Sequence, residues 1–238
     1  MRFFLGILAA FLFLSGAADA QTTVNLQLVL AVDASGSVNQ ARFELQKQGY
    51  AAAFRNPRVI NAITGSGRQG IAVAMVQWTG PTLHVLVLDW TAVRDGATAI
   101  AVAAAIEAVP RKLFGGGTSI SGAIDFSLEL LARSPFRGER RVIDISGDGS
   151  NNAGRPILMA RDEAVRAGVV INGLPILSVE PGLDSYYRDF VIGGPGSFMV
   201  VAANYDNFAD AILNKLVNEI AARDARCRAG SAARCVGG

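Results

Sequence analysis

The sequence predicts an α/β protein: a single doubly wound, mostly parallel sheet with one antiparallel edge strand and helices on both faces. Three observations predict it. Apolar stretches of strand length alternate with helical segments along the chain, the order that builds a parallel sheet through crossover connections. Arg141 to Ile145 and the end of Val24 to Val32 are nearly continuous in apolar character, as in strands covered on both faces. Two further apolar runs are joined only by Thr79-Gly80-Pro81-Thr82. A parallel crossover needs a dozen or more residues, so that pair is antiparallel.

Each element follows in order. Val24 to Val32 (VNLQLVLAV) is the first strand. Asn39 to Phe54 is a helix carrying Phe43, Lys47 and Tyr50-Ala51 at helical offsets, and it stops near Asn56-Pro57. Gly70 to Trp78 and Leu83 to Trp90 form the antiparallel pair. Ala97 to Val109 is an alanine-rich helix ended by Pro110, and Gly115-Gly116-Gly117 leads into a helix from Ser119 to Ala132. After the strand Arg141 to Ile145 come a helix from Arg155 to Ala167 and a strand from Val169 to Leu177. A short helical piece near Tyr186 to Phe190 and a strand from Ser197 to Ala202 precede the last helix. There Phe208, Ile212, Leu216 and Ile220 recur every fourth residue and mark one apolar face. The expected order is β-α-β-β-α-α-β-α-β-β-α, in one domain without repeats or low-complexity linkers.

Composition removes several functional classes. The chain has 238 residues, two cysteines and one histidine, with 51% hydrophobic and 18% charged residues. With only His84, centres built on several histidines are excluded. A net charge of +2 spread along the chain gives no support for nucleic-acid binding. Any chemistry here rests on oxygen ligands.

Residues 1–20 read as an export signal. Arg2 precedes an apolar run from Phe3 to Leu14, and Ala18 and Ala20 flank Asp19 as in a signal-peptidase site. Cleavage before Gln21 is expected, the alternative being an uncleaved anchor. The mature chain carries no transmembrane segment, so a periplasmic or secreted location follows. Residues 21–224 then form the domain, and 225–238 a tail holding Cys227 and Cys235. In an oxidising compartment those two cysteines are expected to close a small disulfide loop, the alternative being free or intermolecular thiols.

The strand ends carry the polar chemistry. In an open α/β sheet, ligands bind beyond the carboxyl ends of the strands. There the first strand runs into Asp33-Ala34-Ser35-Gly36-Ser37, the glycine loop delivers Thr118, and the central strand ends in Ser146-Gly147-Asp148-Gly149. Each piece alone suits an ordinary turn or helix cap. The three in this order are much harder to obtain by chance.

Together these segments resemble the von Willebrand factor A (vWA) domain family, whose hallmark is a metal-ion-dependent adhesion site. Asp33, Ser35 and Ser37 match its Asp-x-Ser-x-Ser loop, Thr118 its threonine after a glycine turn, and Asp148-Gly149 its Asp-Gly. The resemblance covers roughly Thr23 to Arg223 and is to exported bacterial A-domain proteins with a Rossmann-like fold. It implies a divalent cation, Mg²⁺ or else Mn²⁺ or Ca²⁺, held by Asp33, Ser35, Ser37, Thr118 and Asp148. In the family the serines coordinate directly and one or both aspartates usually act through water. An outward position is left for an acidic residue of a partner protein, with no bond broken. The chemistry agrees, because hydroxyls and carboxylates are hard ligands suited to such ions. One position departs from the pattern: Gly147 stands where the family commonly has threonine. Asp144, four residues before Asp148, is the competing carboxylate, and its place inside the strand suggests a local hydrogen bond instead.

Other features read as structural. His84 alternates with apolar residues, and Trp78 and Trp90 close adjacent strands. The triple glycine lacks the ending of a P-loop, and Ser35 does not sit in Gly-x-Ser-x-Gly. Tyr186-Tyr187 and Pro181-Gly182 are candidates for the rim of the site, and the terminal helix reads as a fixed core helix. Two alternatives to adhesion stay open. A metal-dependent phosphohydrolase would use Asp33, although dehalogenase-type phosphatases need a second aspartate where this chain has Ser35. The other is a structural scaffold with a vestigial metal site.

Overall fold

The computed structural model describes residues 21–222. Its five strands are β1 (Thr22–Asp33), β2 (Ile71–Trp78), β3 (His84–Val93), β4 (Phe136–Gly147) and β5 (Val170–Pro175). They lie in the order β3-β2-β1-β4-β5. β1 is the middle strand and pairs in parallel with both β2 and β4, while β5 extends the parallel set. Only β3 runs antiparallel, with Trp78 opposite His84 at the turn. The doubly wound sheet with one antiparallel edge strand is therefore the observed architecture.

Period-two alternation along β1 divides the core into two layers. Leu28, Leu30 and Val32 face one side, where they join Phe43, Tyr50 and Phe54 of α1 (Gln40–Arg55) and Ile106 of α3 (Gly96–Ala108). Phe208, Ile212, Leu216 and Ile220 of α7 (Phe208–Ala221) complete that layer. Val29 and Ala31 face the other side, against Trp78, Ile120 and Ile124 of α4 (Ile120–Ala132) and Ala160 of α5 (Ile157–Arg166). Burying each large aliphatic side chain contributes about 1.5–3 kcal/mol, so β1 is an apolar rod clamped from both faces.

Three local details correct the sequence reading. The chain does break at Asn56-Pro57, but a second helix starts there, α2 (Pro57–Gly65). Asn56 ends α1 and caps α2 by accepting from the Arg58 amide, with Pro57 in the first turn where its missing N–H costs nothing. The strand expected over Ser197 to Ala202 is absent. That segment makes isolated bridges at Gly173–Met199 of β5 and, just past the end of β5, at Ile176–Ala202, and the Phe198 amide donates to Asn172 Oδ1. Gly194 and Gly196 take positive φ and turn the chain immediately before this segment. The helical piece near Tyr186 is a single turn, α6 (Leu183–Tyr186), continued by a π-turn over Tyr187–Val191. The export signal and the two cysteines lie outside the described residues.

Candidate metal centre

Four of the five expected residues meet in a closed ring of hydrogen bonds at the carboxyl end of β1 and β4. Asp33 ends β1, and its Oδ1 accepts the Ser35 amide at 2.7 Å, folding the following loop back over the carboxylate. Ser35 Oγ lies 3.2 Å from Ser37 Oγ, and Ser37 Oγ donates to Asp148 Oδ1 at 2.5 Å. The Asp148 amide closes the ring on Asp33 Oδ2 at 3.3 Å. Thr118 opens beside it, its Oγ1 3.5 Å from where a Cβ on Gly149 would stand.

The surrounding loops hold these groups in place. The Gly36 amide donates to the Gly116 carbonyl, joining the serine loop to the glycine loop. Gly116 takes φ +107°, and a Cβ there would come 2.7 Å from Thr79 Oγ1, so this position requires glycine. Thr79 Oγ1 in turn contacts the carbonyls of Gly115 and Gly117 at 2.9 and 3.0 Å. Asn152 anchors Thr118 from both sides: its Oδ1 accepts the Thr118 amide, and its own amide donates to the Thr118 carbonyl.

Two carboxylates are buried side by side here. Asp33 and Asp148 are both fully buried. Burial pushes the Asp33 carboxyl up to about 7, with the neighbouring Asp148 charge adding to the shift and the Ser35 amide opposing it. Adjacent oxygens around Mg²⁺ in octahedral coordination stand about 3.0 Å apart. The Ser35–Ser37 and Ser37–Asp148 separations bracket that edge. Hard hydroxyl and carboxylate oxygens at this spacing fit a divalent ion of the Mg²⁺ or Mn²⁺ type. Ser35, Ser37 and Thr118 would offer hydroxyls, with Asp33 and Asp148 supplying the charge.

Several participants are invisible to sequence patterns. Tyr205, just before α7, donates its hydroxyl to Asp148 Oδ2 at 2.9 Å. Arg42, in the first turn of α1, brings Nη1 to 3.6 Å from the same oxygen. Arg111 donates to the Ala34 carbonyl at 3.3 Å, and Glu180 accepts the Ser150 amide at 2.7 Å. No motif spacing links these residues to Asp33, because separate parts of the chain deliver them.

The structure also sorts the other sequence-level readings. Asp144 lies away from the ring, and its partner is distant in sequence: Lys215 of α7, at 2.6 Å. The local hydrogen bond expected for it is therefore replaced by an ion pair across the sheet–helix interface. Tyr186 stands at the rim, its hydroxyl accepting the Asn151 amide, whereas Tyr187 is wholly buried in the core. His84 stacks on Phe126 at 5.1 Å, and burial lowers its pKa, the behaviour of a packing residue. Trp78 is fully buried, and the Trp90 indole donates to the Leu130 carbonyl.

Sheet order and strand-end loops together define the von Willebrand factor A fold, and solved structures agree. Proximal thread matrix protein 1 from the mussel byssus, "with zinc occupied MIDAS motif", superposes with a TM-score of 0.61 at 16% identity, over 83% of this chain and 46% of that one. A von Willebrand factor type A protein from Catenulispora acidiphila gives 0.59 at 14%, over 83% and 43%. The vWF domain of the type V pili tip protein Mfa5 from Porphyromonas gingivalis gives 0.57 at 13%, over 83% and 95%. The chain spans about half the length of the mussel protein. Residues 23–224 match the model described as "Protein of unknown function (DUF1194)", and the chain belongs to that family. No curated protein matches in sequence.

Proposed function

We propose that this is an exported vWA domain that captures a protein partner through a divalent cation, Mg²⁺ or a similar hard ion, without catalysis. Asp33, Ser35, Ser37, Thr118 and Asp148 hold the ion, and an acidic residue of the partner fills its outward position. The observation that carries this reading is the closed hydrogen-bond ring that joins two buried carboxylates to two serine hydroxyls. Asp33 has both oxygens engaged by backbone amides, which suits a fixed anchor better than a nucleophile. Support comes also from the mussel protein, described with a zinc-occupied motif of this type, and from the pilus-tip protein of the same fold. Among the described residues no helix is long and apolar enough to cross a membrane.

Calorimetric titration with Mg²⁺, Mn²⁺ and Ca²⁺ tests the reading. The wild-type chain should bind at least one of them, and Asp33→Ala should abolish that heat while retaining its circular dichroism. Unchanged metal affinity in a folded Asp33→Ala protein would overturn it. Partner capture from the exported fraction should likewise be lost in EDTA.

A further inference from the structure

We propose that Arg42 is the specificity-determining residue of this centre: a tethered guanidinium that weakens the hold on the cation and strengthens the hold on the incoming carboxylate. The inference rests on the metal-binding reading above. Asn39 caps α1 by accepting the Arg42 amide at 2.9 Å, which fixes where the side chain starts. The side chain then reaches back over the serine loop. Its Nη1 donates to the Ser37 carbonyl at 2.7 Å and lies 3.6 Å from Asp148 Oδ2. Its guanidinium carbon sits 5.2 Å from the centroid of Tyr205, whose hydroxyl holds the same carboxylate oxygen.

Two features separate Arg42 from an ordinary structural arginine. Its side chain is 32% exposed while that of Asp148 is 0% exposed, so it stands between the carboxylate and solvent. Among the described residues its polar contacts run through Nη1, which leaves Nε and Nη2 able to meet a ligand. Arg111 is the contrast. Its Nε and Nη2 donate to the carbonyls of Leu113 and Ala34, and its guanidinium lies near the rings of Phe43 and Phe114.

Charge gives the sign of the effect. Arg42 places its positive charge 3.6 Å from Asp148 Oδ2, so it adds to the charge of any divalent ion held there. Arg42 therefore opposes the cation and favours an anion above it. A carboxylate with one oxygen on the ion offers its second to a guanidinium, whose planar N–H fork matches that geometry.

The test uses the full chain with Mn²⁺ and acetate as probes. Calorimetry reads Mn²⁺ affinity, and water-proton relaxation on the Mn²⁺-loaded protein reads displacement of metal-bound water by acetate, with neutral acetamide as control. Arg42→Ala should bind Mn²⁺ roughly three- to tenfold tighter, because a nearby like charge is gone. It should bind acetate about fivefold or more weakly, because the charge-assisted hydrogen bonds are gone. Arg42→Lys should keep wild-type Mn²⁺ affinity and recover part of the acetate affinity. Loss of both affinities together, or acetate binding unchanged in Arg42→Ala, would overturn the proposal while metal binding by the wild type still stands. Wild-type protein that binds no Mn²⁺ would overturn both this inference and the reading beneath it.

Discussion

Asp148 is the residue on which the site turns. Its Oδ1 takes the Ser37 hydroxyl and its Oδ2 takes Tyr205, so the carboxylate is oriented on both oxygens. The residue before it shows why this chain departs from the usual threonine. A Cβ on Gly147 would lie 3.0 Å from both Asp33 Oδ2 and the Tyr187 hydroxyl, and 3.3 Å from the Trp78 ring. Tyr187 and Trp78 occupy the volume a larger side chain would need. Gly147→Thr should therefore destabilise the protein by about 1–3 kcal/mol in urea unfolding, through overpacking against groups that have no room to move. Pairing it with Tyr187→Phe should recover part of that loss. Strict additivity of the two changes would argue against a direct clash.

Among the elements, β4 and α7 are joined by a buried ionic contact. Lys215 lies 2.6 Å from Asp144 Oδ1 and donates to Glu219 Oε2 at 3.1 Å, while Asn172 of β5 donates to Glu219 Oε1 at 2.7 Å. All three charged groups are fully buried. Together with Tyr205, this cluster fastens α7 to the sheet. Two carboxylates face one ammonium, with the Tyr50 ring also close by. Burial drives the Asp144 carboxyl up to about 7, with Lys215 opposing the shift and Glu219 reinforcing it. A folded-state pKa above the unfolded value of 3.8 means that the folded protein holds the proton more tightly. This contribution to stability is complete below about pH 4 and disappears as pH rises through about 7. Asp144→Asn keeps the Lys215–Glu219 pair and removes the titration. Its melting temperature should fall less than that of the wild type between pH 5 and 8, by roughly 3 °C. Parallel pH profiles for the two proteins would exclude Asp144 as the source.

For the whole molecule, the proposed cation binding would be linked to folding, because the ring of Asp33, Ser35, Ser37 and Asp148 forms only when the ends of β1 and β4 come together. At a Mg²⁺ concentration about a hundredfold above Kd, the folded state should gain about 2.7 kcal/mol. Differential scanning calorimetry should then show a rise of roughly 5 °C or more, reversed by EDTA and absent in Asp33→Ala. No rise at saturating Mg²⁺ would separate the fold from metal binding.

Much of this architecture is legible along the chain, since it depends on local order. Strand burial on both faces writes itself as continuous apolar runs, and a four-residue connection forces antiparallel pairing. Asp33, Ser35, Ser37, Thr118 and Asp148 are visible because each stands at a strand end or a glycine turn, where backbone geometry itself demands particular residues. The second helix at Pro57 and the failed strand at Ser197 were decided by local backbone detail finer than hydrophobic period. Arg42, Tyr205 and Lys215 were decided by packing alone. An arginine in a first helical turn or a lysine on an apolar helix face carries no distinctive pattern. Each acquires its role only when the tertiary fold brings it to an aspartate in or just after β4, Arg42 and Tyr205 to Asp148 and Lys215 to Asp144. Sequence by itself determined the sheet and the oxygen-bearing residues of the candidate site, because periodicity and turn chemistry are properties of neighbours in the chain. Tertiary structure determined which charges face those residues, because electrostatic partners are chosen by distance in space.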